Sequence, residues 1–115
     1  MKLSDCLREV GRPVAYYPKL SKFAGSVKAA IFLCQFIYWE GKQMDKETRW
    51  IFKTQREIQE ETGLSRYEQE GARGELKKRG YLEEIYKGIP RKVNYRINWD
   101  KFNNDWDKWI EPRQR

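Results

Sequence analysis

Two helices that each open with a capping box, a glycine stop behind the second and a basic two-stranded hairpin beyond it predict an α+β fold, a winged helix-turn-helix. All three features fall between residues 54 and 98. The first box is Thr54-Gln55-Arg56-Glu57 and the second is Ser65-Arg66-Tyr67-Glu68. In each, the hydroxyl accepts the N3 amide hydrogen while the N3 carboxylate accepts from the N-cap amide. Only Gly63 and Leu64 separate the end of the first helix, near Thr62, from the second cap. A chain that turns so sharply between capped helices makes a compact pair, with its second helix presented to a DNA major groove. The whole expectation is two N-terminal helices, a short first strand, the capped pair, a two-stranded wing and a C-terminal helix.

Taken in order, residues 1–13 read as an N-terminal arm, 14–111 as the domain and 112–115 as a frayed tail. Tyr17-Pro18 starts a short helix with proline at the first helical position, and Gly25 stops it after Leu20 and Phe23. Ser26 caps a longer helix to about Glu40. From Ala29 to Trp39 this helix keeps almost no polar face, which predicts burial on several sides. Gly41 to Arg49 is polar and reads as a loop, and Trp50-Ile51-Phe52-Lys53 as the first strand. After the capped pair, Lys77-Lys78-Arg79 suits a helix C-terminus and Gly80 supplies the left-handed stop. Tyr81 to Lys87 is the second strand. The return strand alternates, with Val93, Tyr95, Ile97 and Trp99 on one face and Lys92, Asn94, Arg96 and Asn98 on the other. Trp99, Phe102, Trp106, Trp109 and Ile110 then recur at helical spacing.

Composition narrows the function. A length of 115 residues sets a single domain, and 15% aromatic content supplies a core despite 36% charged residues. The net charge of +7, from 24 Lys and Arg against 17 Asp and Glu, favours a polyanionic partner. The chain has no histidine, which removes the commonest general base and metal ligand. Cys6 and Cys34 form no Cys-x-x-Cys pair, and no glycine-rich phosphate loop is present. The expectation is a protein that is not an enzyme and uses no cofactor or metal. A reducing cytoplasm is the simplest compartment. The apolar run Val27 to Trp39 contains Lys28 and Gln35 and falls short of the roughly 20 residues that cross a bilayer, so no membrane partner is expected.

On the second capped helix, Leu64, Ala72 and Leu76 point inward, flanked by Gln69 and Arg73. Arg66, Tyr67, Glu70, Gly71, Gly74, Lys77 and Lys78 then face out. Arg66 suits guanine O6 and N7, and Tyr67 a phosphate or thymine methyl; the competing reading has Arg66 as an ordinary exposed residue and Tyr67 lying against the wing. The two glycines each cost roughly 0.5 to 1 kcal/mol relative to alanine. Close approach of DNA, a partner helix or simple tolerance would each account for them. The first capped helix is net acidic, so contact is expected at the second helix, at the wing, and at the amides near Thr54 and Gln55. The wing, Lys87-Gly88-Ile89-Pro90-Arg91-Lys92, suits the minor groove or its phosphates, or is a solvated basic loop. Ile89 at its tip better fits protein pairing. The candidate DNA contacts are therefore Thr54, Gln55, Arg66, Tyr67, Glu70, Lys77, Lys78, Lys87, Arg91 and Lys92. Ile89, Phe102, Trp106, Trp109 and Ile110 are candidates for a protein interface.

Glu61-Thr62-Gly63-Leu64-Ser65-Arg66, then Glu68-Gln69, Ala72-Arg73, Leu76 and Gly80, then Gly88-Ile89-Pro90 and Tyr95-Arg96-Ile97-Asn98 form a recognisable series. It resembles the winged-helix domain of phage and plasmid replication initiators and DnaD-type primosome proteins. Tyr17-Pro18, Gly25-Ser26 and Tyr38-Trp39 extend the resemblance to residues 14–99. The resemblance implies a bacterial, phage or plasmid protein that binds double-stranded origin or operator DNA, often as a homodimer and with replication proteins as further partners. Such initiators usually continue into a helicase-loading domain, whereas this sequence ends at Arg115. A protein-interaction module and a small transcriptional regulator are the alternatives.

Overall fold

Local sequence sets most of the elements, and tertiary pairing sets their ends. The structure, a computed structural model, describes residues 2–6 and 12–114, with side chains omitted for residues 5, 6 and 109–114. Among them the helices are α1 (Leu3–Cys6), α2 (Leu20–Ala24), α3 (Val27–Gln43), α4 (Gln55–Thr62), α5 (Arg66–Lys78) and α6 (Trp99–Gln114). The strands β1 (Ile51–Phe52), β2 (Leu82–Lys87) and β3 (Lys92–Ile97) form one antiparallel sheet in the order β1-β3-β2. The architecture is therefore mixed α+β.

Helix α3 forms the centre of the molecule. Ser26 accepts the Ala29 amide hydrogen at 3.0 Å to open it, and Ala29, Ala30, Phe32, Leu33, Cys34, Phe36 and Trp39 are buried along it. It packs against α2, α4, α5 and β1, which is why so little of its surface is polar. Phe36 lies 4.8 Å from both Trp39 and Tyr95, joining the helix to the sheet. A second aromatic cluster has Phe23 at its centre, with Tyr81 stacked at 4.9 Å and Phe102 edge-on at 5.0 Å. Each such side chain contributes roughly 1.5 to 3 kcal/mol through burial.

Several boundaries differ from the sequence reading. Pro18 lies in a turn ahead of α2, where its carbonyl accepts the Ser21 amide hydrogen, so the helix starts at Leu20 and not at the proline. Helix α3 runs through Gly41 to Gln43; the glycine costs about 1 kcal/mol, and Met44, packed against the core, anchors the extra turn. Strand β1 contains only Ile51 and Phe52, because only those two residues pair with Tyr95 and Asn94. Trp99 is not on the return strand. Asn98 instead caps α6, its side-chain oxygen accepting the Lys101 amide hydrogen at 3.1 Å, and Trp99 begins the helix. The segment read as an arm contains the single turn α1, and α6 continues past Pro112 to Gln114 where fraying was expected. Gly80, with φ +82°, does supply the left-handed stop, and the Tyr81 amide donates back to Leu76 at 2.9 Å.

Candidate nucleic-acid interface

Both capping boxes close. Thr54 accepts from the Glu57 amide at 3.1 Å while Glu57 accepts from the Thr54 amide at 3.1 Å. Ser65 and Glu68 repeat the exchange at 3.2 and 3.0 Å. The Ser65 amide, followed by Lys28 at 3.0 Å, brings the Glu68 carboxyl down to about 2, and the Thr54 amide likewise lowers Glu57. Gln69 fixes the angle between the two helices. It is 1% exposed, and its amide donates to the Gln55 carbonyl at 3.0 Å and the Leu64 carbonyl at 2.9 Å. The inward set, Leu64, Ala72 and Leu76, is buried, and Arg66, Tyr67, Glu70, Gly71, Gly74, Lys77 and Lys78 are exposed.

The amino end of α4, the first half of α5 and the β2–β3 hairpin together enclose a concave surface of about 320 Å³. Six of the expected contacts line it: Thr54, Gln55, Arg66, Glu70, Arg91 and Lys92. Phe52, Lys53, Arg73, Val93 and Tyr95 complete it, which sets five cations against one carboxylate. Tyr67, Lys77, Lys78 and Lys87 lie outside this surface. Tyr67 is 83% exposed and borders Ser26 and Lys28 on another side of α5. Lys77 is held by Glu84 at 3.1 Å, and Lys87 extends over the Trp50 ring at 5.4 Å.

The cations are not equally available. Arg66 meets Glu70 at 3.4 Å, with both side chains more than half exposed, and such a pair is worth little and yields easily to a phosphate. Arg73 is different. It grips Glu84 at 2.7 and 3.1 Å, and the Glu84 side chain is 5% exposed. Burial raises the Glu84 carboxyl, yet the hydrogen bonds from Arg73 and Lys77 outweigh it and hold the group below its ordinary range. Lys53, 4% exposed, places its ammonium 4.4 Å from the Trp39 ring centre and 3.5 Å from Glu61. On the hairpin, Lys87 and Lys92 are paired directly across the strands, and like charges in that position disfavour each other until an anion arrives.

Sequence reasoning missed the structural parts played by Lys53, Gln69, Arg73 and Glu84. A signal existed for Glu84, since it is two residues from buried Leu82 and opposite buried Tyr95, on the core side of the sheet, where a carboxylate requires a partner. Of the expected protein-interface residues, Phe102 is corrected. It is 7% exposed and touches Phe23, Tyr81 and Trp99, so it belongs to the core. Trp106 is half-buried, edge-on to Phe23 at 5.6 Å, and Ile89 is fully exposed. The Trp109 and Ile110 side chains lie outside the described residues. Tyr17, Pro18, Leu20, Ile37, Trp99, Phe102 and Trp106 line a separate, largely apolar cleft of about 700 Å³.

No protein-family model, curated protein or solved structure matches the chain. Among the described residues no helix is long and apolar enough to cross a membrane, and no group of side chains could hold a metal ion.

Proposed function

We propose that this chain is a winged-helix protein that binds double-stranded DNA, with α5 in the major groove and the β2–β3 hairpin as the wing. The observation that carries the reading is the basic concave surface, which joins the α4 amino end, Arg66 and the wing cations Arg91 and Lys92. Backbone amides at a helix amino end and cations on two flanking elements are the parts that fix a duplex backbone. The strand order β1-β3-β2 and the capped helix pair support the winged-helix assignment. The resemblance to phage and plasmid initiators supports a cytoplasmic role in replication initiation or its control, with replication proteins as further partners. A small transcriptional regulator would use the same surface.

Duplex affinity measured against salt tests this. With about five phosphate contacts, log K falls against log salt with a slope near −4 to −5, and a slope near zero refutes the reading. Arg66→Ala relaxes discrimination at one base pair, whereas Lys92→Ala weakens all sequences alike and makes the slope shallower by about 1. Equal, sequence-independent losses would assign Arg66 to the backbone. The apolar cleft beside Trp106 favours a second property, homodimer formation through α6. Light scattering at micromolar concentration tests it, and a monomer counts against it.

A further inference from the structure

The tip of the β2–β3 hairpin is built differently from a phosphate clamp. Strand pairing runs without interruption from Leu82↔Ile97 to Lys87↔Lys92, leaving Gly88, Ile89, Pro90 and Arg91 as the loop. Gly88 turns the chain with φ +84°, and Ile89 behind it is 102% exposed, more than any other large apolar residue described. The cations around it lean back along the hairpin. Arg91 lies over Tyr86 at 4.9 Å, Lys92 over Phe52 at 5.0 Å and Lys87 over Trp50 at 5.4 Å. The leading surface of the hairpin is therefore an apolar side chain with charge set behind it on both strands.

Arg91, two residues from Ile89 in the same loop, lines the basic surface, so the tip borders that surface at its outer end. A duplex seated on α5 would meet that tip at its neighbouring groove. A cationic tip would suffice for phosphates alone. An aliphatic tip flanked by cations has the composition of side chains that enter the minor groove and part a base step, with the cations holding the adjacent phosphates. The same flanking charge disfavours an ordinary apolar protein patch as the occupant, because burying three cations against it leaves them unpaired.

We infer that Ile89 is a wedge that inserts between base pairs in the minor groove and bends the bound duplex. The inference rests on the duplex-binding reading above. Its test uses an end-labelled duplex of about 30 base pairs, with the bend read by energy transfer between the ends and unstacking by an internal 2-aminopurine. The parent protein should bend the duplex by roughly 20 to 90° and raise the 2-aminopurine emission. Ile89→Ala should leave the duplex as straight as when free and weaken binding by about tenfold, with the salt slope unchanged because no phosphate contact is lost. Ile89→Leu should restore the bend. Ile89 is fully exposed, so neither variant should disturb the fold. A straight duplex with the parent under salt-dependent binding overturns the wedge and spares the duplex reading. An unchanged bend with Ile89→Ala also overturns it, and accompanying loss of self-association would assign Ile89 to a protein contact. Absence of salt-dependent binding in every form removes the duplex reading and the wedge together.

Discussion

Replacing Glu84 with glutamine should lower stability and tighten DNA binding at once. The side chain is 5% exposed and accepts hydrogen bonds from Arg73 at 2.7 and 3.1 Å and from Lys77 at 3.1 Å. Removing one partner of a buried ion pair costs about 3 to 5 kcal/mol because the other charge stays behind. Arg73 is 23% exposed, and water at that edge brings the expected loss down to about 2 to 3 kcal/mol. Lys77 is half exposed and adds at most about 0.5 kcal/mol. With a urea slope of roughly 2 kcal/mol per molar, the unfolding midpoint should fall by about 1 to 1.5 M. A double-mutant cycle with Arg73→Met should return a coupling of about 2 kcal/mol. Arg73 also lines the basic surface, so Glu84→Gln leaves that surface with one more uncompensated cation and should raise duplex affinity at low salt. A midpoint within 0.3 M of the parent, on the same slope, would refute the claim that this pair ties α5 to the hairpin. Lower stability with weaker DNA binding would refute the electrostatic part alone.

Thr54→Ala and Ser65→Ala should each cost about 1 kcal/mol, seen as a lower thermal midpoint; melts identical to the parent would contradict the two caps. Glu57 and Glu68 have carboxyls lowered in the folded chain, so their stabilisation is present above the ordinary value of 4.5 and is lost as pH falls below it, for Glu68 as pH falls toward about 2. Glu68→Gln should flatten the acid limb of a stability-versus-pH curve, and a limb of unchanged steepness would remove Glu68 as its source. A Cβ at Gly71 or Gly74 would meet nothing within 4 Å, so Gly71→Ala and Gly74→Ala should each raise stability by about 0.5 to 1 kcal/mol. If the chain binds a duplex through α5, Gly74→Ala, one turn beyond Glu70 of the basic surface, should weaken that binding, whereas Gly71→Ala, on the side of α5 shared with Tyr67, should not; unchanged affinity with Gly74→Ala would reduce that glycine to a tolerated residue.

What the sequence made readable is what the chain decides within a few residues. Thr54 with Glu57, Ser65 with Glu68 and Gly80 behind Leu76 are local instructions, and the helix and strand types follow from them and from periodicity. Strand ends were less readable because they depend on partners far along the chain: Trp50 is as β-prone as its neighbours, but only Ile51 and Phe52 meet β3. The apolar stripe of α6 had one spacing and two meanings. Phe102 became core because Phe23 and Tyr81 close around it, and both come from elements distant in sequence.

The candidate surface shows the same division, and it bears on how a duplex would be read. Counting charges made α5 mildly basic, with five cations among Arg66 to Arg79 against three carboxylates. The structure engages four of those cations: Arg66 with Glu70, Arg73 and Lys77 with Glu84, and Arg79 with Glu75. Net charge on the helix is therefore a poor guide to its contacts. A phosphate or a guanine can take Arg66 from Glu70, because an exposed pair holds by less than about 1 kcal/mol. It cannot as readily take Arg73, whose carboxylate partner would be left desolvated and uncompensated. Arg66 would thus be the side chain of α5 best suited to reading a base, while Arg73 ties α5 to the β2–β3 hairpin through Glu84. If a duplex binds here, most of the salt-dependent attraction would fall to the hairpin cations Arg91 and Lys92, which line the basic surface and make ring contacts with Tyr86 and Phe52.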